Sequence, residues 1–539
     1  MAITITDLRS LVDEADSLTG WGGEAATLFT SQPDPKETTG CLGIQVSNET
    51  LDFFHTHSST NLSGGVLVYI WVLPQGIMDT TANGGVALAI GDGTDRIGYH
   101  LAGSDVSGFR HDSGTVNWQC LLLDTANLPA SFTAYAGSEG NLTLSAITTF
   151  GAGFKTLVKS VGGVENCFID IIRYGNQGLR ITGTDGSFDD IATADSSNAT
   201  GQSYGICRNL AAGVYGLQGG LTFGGTGSET VTFSDTNTTV VFEDRGIATT
   251  NRYFINIVEA TGNTSFTLGT KVGTDSGSDG CSISSPAGVG GLFDASDTDI
   301  TTLGLYGSTF AGFEEGILFS ADATNGPNHE IFACNFSRNA QITIGLTEFK
   351  NNSISASTAA TGSVLIDSTT NVSDLNFTSD GTGHGILIDT TGSYTFLNFN
   401  YTNFAATDGS TGNEVFYNNS GGLVTLTISG GDTPTVRNGA GASTVLINSV
   451  AVTLTGMRDN TEVRVYTTGT TTELDGVEDA TAGTTDDRSF TFSLSAGTIV
   501  DIRIHSVAYE TEVIRAFTIP SLAASIPISQ RFDRNFSNQ

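Results

Sequence analysis

Two aspartates, Asp367 and Asp389, occupy equivalent positions of an internal repeat. VLIDSTTNVSDLNF starts at residue 364 and ILIDTTGSYTFLNF at residue 386, so the copies are displaced by 22 residues. Stacked as adjacent strands, the two carboxyl groups would lie about 4.8 Å apart, near the roughly 5 to 5.5 Å between the carboxyl groups of retaining glycosidases. Asp367 and Asp389 are therefore candidates for an acid and a nucleophile.

A structural interpretation competes with catalysis at this pair. Looser copies of the repeat extend the column, which then reads Ser320, Gly345, Asp367, Asp389, Asn418 and Asn448. All six are turn-forming residue types. A polar ladder at the end of each strand explains the whole column, whereas catalysis explains two positions, so the pattern favours the ladder.

A second acidic cluster contains Glu314 and Glu315, with Asp294, Asp297 and Asp299 upstream. A carboxylate pair in a groove could hydrolyse or eliminate a glycosidic bond. Solvated turn residues are the simpler interpretation. Glu314 and Glu315 therefore remain secondary catalytic candidates.

No metal or cofactor is expected. Asp92 and Asp95 lack the spacing of a complete calcium loop, which favours a hairpin turn. His55 and His57 would share one face of a strand but have no third zinc ligand nearby, which favours an exposed pair. The six cysteines form no C-x-x-C motif and are interpreted as buried free thiols.

Three aromatic side chains, Trp118, Tyr99 and Tyr174, are candidates for carbohydrate binding, because flat rings stack on sugar faces. All three fall in a segment of short alternating strands, where each ring could equally belong to the core. No Ser-His-Asp or Cys-His arrangement can be nominated from spacing.

The composition excludes several classes of protein. The 539 residues include 68 glycines but only 9 prolines and no G-X-Y period, which excludes collagen. Twenty-two basic residues stand against 56 acidic ones, a net charge of −34 that argues against nucleic-acid binding. No apolar stretch is long enough for membrane insertion, and the N-terminus lacks the pattern of a signal peptide.

Patterning divides the chain into four parts of an all-β fold. Helical spacing of Leu8, Leu11 and Val12 predicts a helix or anchor over residues 1–20. Alternating strands with Gly- and Asn-rich turns predict a sandwich over residues 21–223 that resembles the jelly-roll, lectin-like domains of viral and carbohydrate-binding proteins.

The repeat predicts a parallel β-solenoid (β-helix) over residues 224–450, because each unit carries two short apolar strands without an intervening helix. From residue 451 to residue 539 the alternation resumes. This segment is expected to form a small immunoglobulin-like or jelly-roll β-sandwich that caps the last coil.

This order of parts resembles a bacteriophage virion appendage of the tail fibre or tailspike type. The likeness is one of architecture, and the repeat at residues 364–399 is its one motif-like element. It implies a homotrimer that contacts other virion proteins and a glycan of the host surface. It also implies synthesis in the host cytoplasm followed by incorporation into the virion.

Three functions follow from the resemblance. The first is a structural appendage that recognises a host-surface glycan. The second is a head-decoration, collar or adaptor protein without receptor binding. The third is a polysaccharide-degrading tailspike, which ranks last because the solenoid offers no acid pair that turn residues do not already explain.

Overall fold

A computed structural model describes residues 3–23, 26–29, 40–46, 51–74, 85–100, 118–129, 131–155, 165–184, 186–196, 205–225, 229–233, 235–243, 253–258, 264–272, 279–368, 371–409, 412–480, 482–484, 486–495, 497–520, 523–534 and 536. The chain divides into two compact units, residues 1–318 and 319–539. Strands make up 56% of the structure and helices 4%, so the predicted all-β class is confirmed. No helix among the described residues is long and apolar enough to cross a membrane.

The first unit begins with a sandwich of two antiparallel sheets. One sheet contains Ser10–Asp13, Ala26–Phe29, Cys41–Val46, Leu67–Pro74, Gln119–Asp124 and Glu165–Tyr174. The other contains Trp21–Gly23, Leu51–Thr60, Gly85–Gly91, Arg96–His100, Ser131–Ala136 and Ile147–Lys155. Two short 3₁₀ turns, Glu139–Asn141 and Leu144–Ala146, precede the last of these strands. Alternate side chains, such as Ile70 and Leu88, form the core between the sheets.

The predicted N-terminal helix is wrong, because Thr4–Asp7 and Ser10–Asp13 are strands. Asp7 accepts hydrogen bonds from the backbone N–H and the guanidinium of Arg9, which fixes a turn between the strands. Thr4–Asp7 pairs with Leu179–Thr182, and Ser10–Asp13 joins the sandwich. Tertiary pairing therefore overrides a helical pattern too short to be stable alone.

Parallel coils follow the sandwich in the first unit. Their first strands are Leu179–Thr182, Leu221–Gly224, Phe254–Val258 and Leu292–Ala295. Their second strands are Glu229–Phe233, Thr264–Leu268 and Ile300–Tyr306. Their third strands are Val214–Leu217, Thr239–Phe242, Ser282–Ser284 and Thr309–Ala311, and the antiparallel strand Cys207–Ala211 lies at the edge of this sheet. Parallel pairing already starts at Leu179, so the predicted start at residue 224 is too late.

A helix, Phe188–Ser196, closes the first coil. Its buried Phe188 meets the ring of Phe233 with 5.4 Å between centroids, and its Asp189 accepts a hydrogen bond from Tyr215. An open solenoid end would expose apolar side chains and strand edges to water. The helix therefore covers a surface that the sequence pattern did not reveal.

The second unit contains coils with the same three-strand order. Its first strands are Ile342–Thr343, Val364–Leu365, Ile386–Ile388, Phe416–Asn418 and Val436–Asn438. Its second strands are Glu330–Phe332, Glu348–Lys350 and Val372–Ser373. Its third strands are Asn335–Ser337, Ser353–Ser355, Asn376–Thr378, Gly392–Thr402, Leu423–Gly431 and Ser443–Met457. The strand Gly316–Phe319 lies at the boundary between the units, and a 3₁₀ turn spans Gly326–Asn328.

The pairing of the first strands confirms the 22-residue displacement of the repeat. The pairing of the third strands differs. Val364 lies opposite Ile386 and Leu365 opposite Leu387. In the third strands, however, Phe377 lies opposite Tyr401, a displacement of 24 rather than 22. Because side chains alternate with a period of two, this slip leaves the apolar residues on the inner face.

The final strands form two sheets around a separate core. The second half of Ser443–Met457 pairs with Asp487–Leu494 and Ala524–Pro527, and Ala482–Thr484 adds to the edge. The facing sheet contains Glu473–Val477, Thr461–Thr467, Ile499–Ser506 and Glu512–Thr518. Buried Val452, Val465 and Ile502 lie in this core. One continuous strand thus connects the last coil to the C-terminal sheets.

Asn352 provides a test of how adjacent coils are joined. Its buried amide accepts from the backbone N–H of Cys334 at 2.8 Å and donates to the carbonyl oxygen of Ile331 at 3.0 Å. Asn352→Leu leaves both backbone groups unsatisfied, at a cost of about 1 to 3 kcal/mol each. We expect peptides spanning residues 330–356 to exchange amide hydrogens about tenfold faster or more, measured by mass spectrometry.

Asn376→Leu is the matched control, because Asn376 is exposed and its amide contacts Asn400 at the surface. Exchange in the control should remain close to that of the unmodified protein. Equal exchange in both variants would show that the Asn352 bonds do not hold the coils together.

Candidate functional site

The outer face of the first-strand sheet in the second unit carries one continuous column of side chains. From one coil to the next, the paired residues of this column are Thr343, Leu365, Leu387, Tyr417 and Arg437. The preceding position in each of these strands is apolar and buried. Alternation directs the named column away from the inner core, but Leu387 is itself buried. Tyr417 is half-buried and Arg437 is exposed.

Asp367 and Asp389 form part of a second outward column, two residues further along each coil. Both side chains are exposed, and the Val364–Ile386 register places them on adjacent coils. Partial desolvation and then the charge of Asp389 raise the pKa of Asp367 above its ordinary value. The predicted proximity is thus present as an exposed pair of like charges at the ends of strands.

Two other members of the predicted polar column, Asn418 and Asn448, require correction. Ile388 lies opposite Asn418, so the residue that follows Asp389 in the column is Asn419. Asn448 belongs to a third strand, opposite Ile428. The predicted repeat copy starts at Val415, whereas in the structure Phe416 is the residue that lies opposite Ile386. The prediction therefore assigns Asn418 to a position that Asn419 occupies.

Asn418 instead points inward and joins the last coils. Its buried amide donates to the carbonyl oxygen of Ser443 and the hydroxyl of Thr444, each at 3.0 Å. Its carbonyl oxygen accepts from the backbone N–H and the hydroxyl of Ser420. These bonds satisfy an otherwise costly buried polar group and fix the turn that carries Asn419.

A buried histidine holds Arg437 at the end of the first column. Nη1 of Arg437 donates to Nε2 of His384 at 3.1 Å, and its Cζ atom lies 5.2 Å from the centroid of the Tyr417 ring. The His384 and Tyr417 rings stack with centroids 4.9 Å apart. Tyr417 donates in turn to Oδ1 of Asn419 at 3.2 Å, which links the two outward columns.

The hydrogen bonds assign the tautomer of His384. Its Nδ1 lies 2.7 Å from the carbonyl oxygen of Glu414 and must donate, so Nε2 is left to accept from Arg437. Burial, together with the charge of Arg437, lowers the pKa of His384. A neutral ring therefore contacts the Arg437 guanidinium. The buried Glu414 carboxylate accepts from the N–H of Gly412 at 3.1 Å.

The other acidic candidates behave as turn residues. Glu314 is exposed and accepts from the backbone N–H of Gly288 at 3.0 Å. Glu315 is half-buried, and its own N–H donates to Gly291. Asp294 and Asp297 each accept from a backbone N–H two residues ahead. These contacts explain the cluster without catalysis.

The aromatic candidates lie in or against the sandwich core. Tyr99 has no exposed surface, so the prediction that it binds sugar is wrong, because its inward position in the strand buries the ring. Trp118 is half-buried against Cys41, Leu73 and Phe168. Tyr174 is half-buried and stacks on Phe150 with centroids 5.8 Å apart. Trp118 and Tyr174 remain predictions for glycan contact.

The remaining motifs have structural partners. Asp92 accepts from the N–H groups of Thr94 and Asp95 in a hairpin turn. His55 lies 3.2 Å from Asp13, and His57 contacts the carbonyl oxygen of Ser58. All six cysteines are buried thiols that form no disulfide bond. Within the described ranges, no three His, Cys, Asp or Glu side chains are placed to hold a metal ion.

Sequence reasoning missed the group formed by His384, Tyr417 and Arg437. These residues lie far apart in the chain and come together only through the coil register. One signal was available, the scarcity of cations in a chain with 22 basic and 56 acidic residues. Any arginine on an outward repeat position could have been singled out on that ground.

Comparisons with known proteins give distant structural neighbours. No family model and no curated protein matches the chain. The family 11 carbohydrate-binding module from Clostridium thermocellum in complex with a β-1,3-1,4-mixed-linked tetrasaccharide is 8% identical, with a TM-score of 0.22, over 31% of this chain and 94% of the module. The K1 cleaved adhesin domain of Lys-gingipain from Porphyromonas gingivalis W83 is 13% identical, with a TM-score of 0.17, over 33% of this chain and 99% of that domain.

A longer alignment involves the catalytic domain of a GH87 α-1,3-glucanase in complex with nigerose. It covers 81% of this chain and 85% of that domain, at 10% identity and a TM-score of 0.17. The first of these neighbours is thus a carbohydrate-binding module and the last a glucanase catalytic domain.

The Asp367–Asp389 repulsion gives a pH-dependent prediction. Because the folded-state pKa of Asp367 is raised, its ionisation destabilises the folded state as pH rises through that pKa, and the penalty is absent at lower pH. Asp389→Asn removes the like charge. We expect the variant to melt at a higher temperature than the unmodified protein at pH 7, with the difference shrinking towards pH 3.

Thermal scans from pH 3 to pH 8 measure this effect. Asp479→Asn, which neutralises an exposed aspartate near the C-terminal sheets, controls for the change in net charge. A melting difference that is the same at every pH, or equal in the two variants, would contradict repulsion between the columns.

Proposed function

We propose that this protein is a structural appendage that binds glycans without cleaving them. The observation that carries the proposal is the outer face of the second-unit solenoid, where the Tyr417 and Arg437 column runs beside the Asp367, Asp389 and Asn419 column. A polysaccharide that lies on this outer face, parallel to the solenoid axis, would meet a hydroxyl, amide or carboxylate group as it passes from coil to coil. Such groups are suited to hydrogen bonding with sugar hydroxyls.

A binding role accounts for this face better than hydrolysis does. Catalytic acid and base pairs are usually set apart by contrasting environments. Although Asp367 is partly desolvated, both aspartates are exposed at equivalent turns of the coil, and the next position of the same column is an amide, Asn419. The pair is therefore a section of a polar ladder that can contact a glycan.

The proposal extends to the virion of a bacteriophage. A sandwich, a solenoid and a C-terminal pair of sheets in this order support a tail fibre or spike that contacts other virion proteins and a host-surface glycan. In this role the rigid coils would hold the binding face at a fixed distance from the particle. The virion location rests on resemblance and is tested by finding the protein on intact particles.

An open strand edge supports assembly as a homotrimer. Val445, Leu446 and Ile447 are 48%, 37% and 43% exposed, although they are consecutive apolar residues. Their strand pairs with Leu423–Gly431 on one side, and no described strand pairs with residues 443–449 on the other. An unpaired apolar edge is a template for association, and we propose that further copies of the chain cover it.

The binding face is tested with a panel of immobilised bacterial surface polysaccharides. Tyr417→Ala removes the ring that supports Arg437 and the hydroxyl that contacts Asn419, and we expect its affinity to fall about tenfold or more. Tyr466→Ala, on the C-terminal sheets, is the matched control and should bind normally. Loss of binding in Trp118→Ala rather than in Tyr417→Ala would move the site to the sandwich.

The same panel distinguishes binding from cleavage. Product chains should keep their length after incubation with the unmodified protein. Shortened chains whose formation is abolished by Asp367→Asn or Asp389→Asn would establish the enzymatic alternative. Absence of binding to authentic host envelopes would favour the decoration or adaptor role.

The trimer prediction is tested by light scattering. We expect a particle of about three times the chain mass of 56.0 kDa. Leu446→Lys places a charge on the exposed edge and should shift the population towards smaller particles, whereas Leu210→Lys, at an exposed leucine of the first unit, should not. A monomer at micromolar concentration in the unmodified protein would contradict the proposal.

A further inference from the structure

Arg437 lacks the acidic partner that half of the described arginines in this protein possess. Arg96 pairs with Asp52, Arg208 with Glu243, and Arg488 with Asp459; Arg9, Arg173, Arg458 and Arg464 also contact carboxylates. Within the described part of the chain, Arg437 contacts His384 and Tyr417 and forms no ion pair. Other exposed arginines in the described ranges, Arg338 among them, also form no ion pair there, but Arg437 is held by a buried histidine and an aromatic ring.

The contacts of Arg437 orient its charge without neutralising it. His384 accepts one N–H through Nε2 and is neutral, because its Nδ1 donates to the Glu414 carbonyl oxygen. The Tyr417 ring stabilises the cation through its π face. The remaining N–H groups of the guanidinium have no acceptor in the described part of the chain, so an external anion can bind them.

The support beneath Arg437 is itself rigid. His384 is 1% exposed, and its ring is fixed by the Glu414 carbonyl oxygen on one side and by stacking on Tyr417 on the other. Gly412 lies next to the guanidinium, where an added Cβ would come within 3.4 Å of Nη1. A side chain held in this way loses little conformational entropy when a ligand binds.

We propose that Arg437, positioned by His384 and Tyr417, binds the acidic group of a charged glycan, either a carboxylate or a sulfate. This inference rests on the glycan-binding function proposed above and specifies the class of sugar. A planar guanidinium presents paired donors that match both kinds of anion. Neighbouring sugar units would contact the neutral and carboxylate groups of the two outward columns.

The surrounding charges restrict which acidic glycans can bind. The first strand of Asp389 lies two coils from that of Arg437, at roughly 4.8 Å per coil, so a second anion placed there would meet a carboxylate. The net charge of the chain also opposes long polyanions, although salt screens charges beyond about 8 Å under physiological conditions. Arg437 therefore suits a glycan whose acidic groups are separated by neutral sugars.

Binding is measured by calorimetry with the full chain and four soluble polysaccharides. Xanthan provides spaced carboxylates, polygalacturonate dense carboxylates, κ-carrageenan spaced sulfates, and dextran no charge. We expect Arg437→Gln to weaken binding of xanthan or κ-carrageenan about tenfold or more, and Arg437→Lys to weaken it less, because lysine keeps the charge but not the paired donors. Binding to dextran should be the same in all forms.

Arg338→Gln is the matched control, since Arg338 is also exposed in the second unit and lies outside the binding face. Unchanged melting temperatures establish that each variant is folded. Equal affinity of Arg437→Gln and the unmodified protein for every charged glycan, or a preference for dense polygalacturonate, would overturn the inference while leaving glycan binding intact. Failure of the unmodified protein to bind any of the four and any of the bacterial surface polysaccharides would overturn the proposed function as well.

Discussion

The coils of the second unit depend on one backbone constraint, a left-handed residue at the corner between the second and third strands. Ala333, Asn351 and Asp374 have φ values of 56°, 56° and 58°, and Asn398 occupies the same column at 56°. This conformation costs a residue with a Cβ atom roughly 1 to 2 kcal/mol. Side-chain bonds offset the cost, since Asn398 donates to Asp374 at 2.9 Å and the adjacent Asn352 joins two coils. The corner thus fixes where each third strand begins and holds the strands in register.

The same constraint explains how much of the fold could be predicted from the sequence. The repeat of Val364 and Ile386 identified parallel coils, because apolar pairs on the inner face recur with the coil. It could not distinguish a displacement of 22 from one of 24 in the third strands, since both place Phe377 beside inward rings. Register there is determined by the corner and its hydrogen bonds, which have no simple sequence signature.

The wrong helix at the N-terminus has a similar origin. Leu8, Leu11 and Val12 have helical spacing, but the segment gains more from two strand pairings and from Asp7 bound to the buried Arg9. The Arg9 guanidinium also lies 4.2 Å from the centroid of the Tyr69 ring in the sandwich. Breaking such a buried ion pair would leave an uncompensated charge, so these long-range contacts outweigh local propensity.

The candidate site was predictable only where it follows the repeat. Asp367 and Asp389 could be paired from sequence because they share a strand and a displacement. The contact between His384 and Arg437 could not be predicted in this way. His384 lies before the first strand of its coil, and its ring stacks on Tyr417 of the next coil. A solenoid converts residues that are dozens of positions apart into neighbours about 4.8 Å apart. Its backbone can therefore keep a charged group exposed and oriented, with a neutral ring and an aromatic face in place of a carboxylate partner.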